Sequence, residues 1–167
     1  MWRRTVLAHV LFFGVLAGST SADTVILLGF TDMKSRLAVQ RAVQGAAVRL
    51  ARPGCQDVLN DFADQSGRPL GTKLAASGNS VADAFRVLRF YNDRTARRCH
   101  AGKALAFTQA GSLLIRVCGD RFTWSYSQNS TATEIVLIHE FLHALGLGEN
   151  PPTSEAITKR VALRCGS

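Results

Sequence analysis

The chain lacks an internal repeat, a low-complexity tract and any sign of a second domain within its 167 residues. Those absences exclude solenoids, propellers and modular arrays. It is short of charge, at 19 % charged against 47 % hydrophobic residues, which excludes an intrinsically disordered chain. Acidic residues are the scarcer sign: 12 against 20 basic, for a formal charge of +8. A basic protein suits acidic substrates or anionic surfaces. No base-stacking or groove-reading motif accompanies the charge, so a nucleic-acid partner is not expected. The only local cluster is Arg94, Arg97, Arg98 and Lys103, which reads as a solvated loop.

One apolar run stands out, from Thr5 to Gly18, and it is short for a membrane span, which takes ~20 residues, so a cleaved signal is expected over an uncleaved anchor. Trp2-Arg3-Arg4 precedes it and Thr20-Ser21-Ala22 follows it. That order reads as a signal peptide over residues 1–22, leaving a mature domain of residues 23–167. Removing Arg3 and Arg4 with it lowers the charge from +8 to +6. The expectation is a secreted or periplasmic monomer with no stable membrane insertion. All four cysteines, Cys55, Cys99, Cys118 and Cys165, fall in the mature part. Their spacing matches no zinc ribbon, and an even count in an exported domain predicts two disulfides. Of the three connectivities, Cys55–Cys99 with Cys118–Cys165 is the expectation.

Periodicity predicts an α+β domain. Residues 24–30 read as a buried strand. Thr31 or Asp32 caps an amphipathic helix to about Arg52, with Met33, Leu37, Val39, Val43, Ala46, Ala47 and Leu50 apolar. A short helix fits residues 56–64, and Ser80 with Asp83 caps another over 81–88. Residues 92–103 read as a loop holding the basic cluster and His100. Residues 104–110 and 113–118 read as two strands joined at Gly111. Residues 123–133 are polar, with Trp124 and Tyr126, and residues 154–164 form a last helix.

The segment Ile135 to Gly146 carries the chemistry. Positions four apart share a helix face, so His139 and His143 can aim two imidazoles at one ion. Glu140 then sits beside a metal-bound water and not among the ligands. Ile135, Val136, Leu137, Ile138, Phe141, Leu142, Ala144 and Leu145 cover almost every side of the helix, so it is buried. Two histidines and a glutamate there are costly unless a cation satisfies them. Gly146 can end the helix in a left-handed conformation and let the chain return, presenting Glu149 as a third ligand.

The pattern His139-Glu140-x-x-His143-x-x-Gly146-x-x-Glu149 resembles the metzincin zinc peptidases. The resemblance covers about eleven residues well. It implies a small zincin-like domain, with a mixed β-sheet packed on the N-terminal helix and on the buried active-site helix. It also implies Zn2+ as cofactor, His139, His143 and the residue at 149 as ligands, and Glu140 as general base. Peptides or proteins would be the substrates of such an endopeptidase. Glutamate departs from the histidine or aspartate usual at that third position. The family's methionine turn has no counterpart downstream, since Met1 and Met33 are the only methionines. Glu155, His100, Asp120 or water remain alternatives as third ligand. The strand over 113–118 is a candidate to pair with an extended substrate. Tyr126 or His100 is a candidate to stabilise an oxyanion. The rival reading is a secreted binding protein with a degenerate or structural zinc site.

Overall fold

A computed structural model describes residues 25–102 and 104–167. The expected signal segment and Lys103 lie outside them. The described chain is mixed α+β, as its periodicities predict. Its sheet has four strands in the order β1-β2-β4-β3. These are β1 (Ile26–Leu28), β2 (Arg89–Asn92), β3 (Ala106–Phe107) and β4 (Leu114–Val117). β1, β2 and β4 run parallel, and β3 closes one edge antiparallel to β4. None of the described helices is long and apolar enough to cross a membrane.

The inner face of the sheet carries Phe90, Ile115 and Val117, all buried. Against it lie α1 (Met33–Leu50) and α8 (Ser130–Ala144), which also pack on each other. Asp32 starts α1 by accepting the Ser35 N–H at 2.7 Å. The buried stripe of α1 is Ala38, Val39, Ala42, Val43, Ala46 and Leu50. The expected core positions Met33, Leu37 and Ala47 face out instead. Four short helices precede β2: α2 (Pro53–Gln56), α3 (Val58–Asp61), α4 (Leu70–Ala76) and α5 (Val81–Arg86). Ser80 caps α5 as expected, through the Asp83 N–H. Then come α6 (Arg97–Ala101), α7 (Gly119–Gln128) and α9 (Ser154–Cys165).

Several expectations need correction. β1 is an edge strand with Ile26 and Leu28 exposed, not a buried one. β2, between β1 and β4, was hidden because Arg89 and Tyr91 on its outer face break the apolar run. The basic loop over 92–103 contains α6, and the polar stretch after Thr123 is mostly helix. α8 begins at Ser130, not Ile135, because Asn129 accepts the Ala132 N–H at 3.0 Å and caps it there. The disulfides are Cys55–Cys165 and Cys99–Cys118, not the expected pairs. Packing of α2 on α9 decides the first. The second joins α6 to the end of β4.

Candidate metal centre

The helix α8 is apolar on every side and buried along its C-terminal two-thirds. It ends in a Schellman motif: the Gly146 N–H donates to His143 O and the Leu147 N–H to Leu142 O. Gly146 permits this with φ 112°. Lys73 of α4 places its Nζ 2.7 Å from Leu145 O, a cation on the helix's negative end. Asp64 holds that lysine at 3.7 Å. Residues 146–149 then turn back as the glycine predicts.

The turn brings Glu149 to the two histidines. His139 Nε2 and His143 Nε2 are 2.9 Å apart, and Glu149 Oε1 is 3.9 and 3.5 Å from them. Bonds of ~2.0–2.1 Å to a tetrahedral ion put its ligand atoms ~3.3 Å apart. The three distances bracket that value. His139, His143 and Glu149 therefore form a group that can hold a metal ion.

Each imidazole is oriented from behind. His143 Nδ1 lies 2.7 Å from Leu147 O, which only accepts, so that nitrogen carries the proton and Nε2 presents a lone pair. His139 Nδ1 lies 2.9 Å from Thr158 Oγ1 on α9. Such partners fix a ligating ring and raise its basicity. Burial, then repulsion from His143, lowers the His139 pKa to about 4, with Glu149 opposing. The ring is neutral near pH 7, the form that binds a metal.

Glu140 stands next in the chain, 6 % exposed. Burial raises its pKa to about 8, and Glu149 adds to the rise. The Thr108 backbone N–H and the Arg98 charge oppose it. Its Oε2 is buried and has no hydrogen-bond partner among the described residues. An orphaned buried carboxylate oxygen on the residue that follows His139 fits a site built for a cation and a polar reactant.

The other candidates are elsewhere. Glu155 is exposed on the first turn of α9. Asp120 pairs with Arg94 at 3.4 Å. His100 is exposed on α6, and Tyr126 packs against the core. None of the four joins the group. Met33 is 64 % exposed at the start of α1 and underlies nothing. β4 is covered on both edges by β2 and β3, so it cannot accept a substrate strand. Sequence reasoning missed Thr158, Thr108, Lys73 and Leu147 O. Only tertiary contacts bring the first three to the site. Comparison of the chain with family models, with curated proteins and with solved structures finds no match.

Proposed function

We propose that this protein is a secreted zinc-dependent endopeptidase of the zincin kind. The observation that carries the reading is the convergence of His139, His143 and Glu149 with a buried Glu140, one of whose oxygens has no partner, next in the chain to the first histidine. Two imidazoles and one carboxylate suit zinc and leave a fourth position open for water. Among the described residues no fourth ligand group joins them, which favours a catalytic over a closed structural site.

When bound, zinc would acidify a water and polarise a scissile carbonyl. The chain's own residues do the rest. His139 and His143 are held neutral and aimed by Thr158 and Leu147. Glu140 takes the water proton and delivers it to the leaving amine. A divalent ion held by His139, His143 and Glu149 would favour the ionised form of Glu140, the form that accepts a proton. An extended substrate pairs with β3, the strand that ends the sheet on this side. β3 packs against α8, the helix that carries Glu140. Two disulfides support export to an oxidising compartment.

The test is zinc analysis together with cleavage of an unfolded protein. We expect about one zinc per chain, hydrolysis abolished by chelator, and a Glu140→Ala variant that keeps zinc and loses activity. Full activity in that variant sinks the mechanism. Glu149 in place of the usual ligand favours the rival reading of a non-catalytic zinc site. Tightly bound zinc with no hydrolysis of any unfolded protein would establish it.

A further inference from the structure

We propose that Arg98 selects substrates carrying an acidic side chain close to the scissile bond. This rests on the peptidase reading and names a substrate class for it.

Arg98 lies on α6, and its guanidinium carbon is 5.5 Å from the centre of the Phe107 ring. Phe107 belongs to β3, which packs against α8, and the turn after β3 donates the Gly111 N–H to His143 O at 2.8 Å. The guanidinium therefore stands beside the strand on which a substrate would lie, the strand that meets the helix of His139 and His143.

Two arginines nearby are committed elsewhere. Arg94 pairs with Asp32 at 2.7 Å, and Arg116 pairs with Asp93 at 2.6 Å. Among the described residues no carboxylate reaches Arg98, and its side chain is exposed. Stacking on an aromatic ring restrains a guanidinium while its N–H edge stays free for a carboxylate. The Cys99–Cys118 disulfide pins the adjacent residue to the end of β4, so the arginine is positioned before substrate arrives. The local basic cluster is thus more than a solvated loop: one member is held over β3.

The experiment uses zinc-loaded Glu140→Gln protein and short fluorescent peptides that differ only by Glu, Gln or Lys at one position. Anisotropy at low salt should show the best-placed Glu peptide binding about 5-fold tighter than its Gln twin, the size of one partly screened charge pair. The Lys twin should bind weakest. Arg98→Gln should erase the preference, while Arg41→Gln on α1, the same charge change elsewhere, should keep it. Equal binding of the three peptides, or a preference that survives Arg98→Gln, overturns the proposal. Cleavage assays with Glu140 intact separate the two ideas. Hydrolysis without acidic preference leaves the peptidase and removes the Arg98 role. Arg98-dependent binding without hydrolysis leaves an acidic-peptide site and removes the peptidase.

Discussion

Thr158 Oγ1 lies 2.9 Å from Nδ1 of His139, nineteen residues away in sequence. One hydroxyl on the C-terminal helix thus sets the ring plane of a residue on the central helix. Removing it should loosen the metal without unfolding the protein. Thr158→Val is expected to weaken zinc binding roughly 10-fold, and Thr158→Ser to restore most of it. Competition with a chromophoric chelator measures both.

Gly146 has φ 112°, and a Cβ there would lie 2.7 Å from Lys73 Nζ. The lysine end can swing away, so backbone strain dominates. Gly146→Ala should cost about 2 kcal/mol of stability. It should also displace Glu149 and weaken metal binding more than Thr158→Val does. Thermal unfolding with and without zinc reads both effects.

Glu140 gives the metal-free protein a defined pH response. Its pKa is raised from 4.5 to about 8. A raised carboxyl favours folding while protonated. That contribution is complete below pH 4.5 and is lost as pH rises through about 8. Glu140→Gln should match the wild type near pH 4 and become the more stable of the two by pH 9, by a few kcal/mol at most (~1.4 kcal/mol per pKa unit). His139 acts in the opposite sense. Its pKa is lowered from 6.5 to about 4, so its contribution is present above pH 6.5 and fades as pH falls through 4. Denaturant melts of chelator-treated protein across this range check both signs.

The two disulfides should differ in what they protect. Cys55–Cys165 spans 110 residues and Cys99–Cys118 spans 19. Loop closure predicts losses of about 5 and about 3 kcal/mol on replacing each pair by serine. The first loss should also weaken zinc binding, because Cys165 ends the helix that carries Thr158. The second should weaken discrimination among peptides instead, because Cys99 adjoins Arg98. Denaturant titration and chelator competition on each double variant distinguish them.

Helix signals close in sequence were readable. Asp32 and Ser80 cap where side-chain chemistry places them, since an N-cap needs only the next three residues. β2 was not readable, because its outer residues Arg89 and Tyr91 answer to solvent on an uncovered sheet face. The disulfide pairs were not readable either. Four cysteines permit three pairings, and only the docking of α2 on α9 chooses.

Residue spacing by itself determined that His139 and His143 share a helical face, that Glu140 lies beside them, and that Gly146 releases the chain toward Glu149. These follow from 3.6 residues per turn and from the one residue type without a Cβ. Tertiary structure decided which groups aim and tune them. Thr158 comes from α9 and Lys73 from α4. Each contact joins segments far apart in the chain, and its existence depends on how whole elements pack.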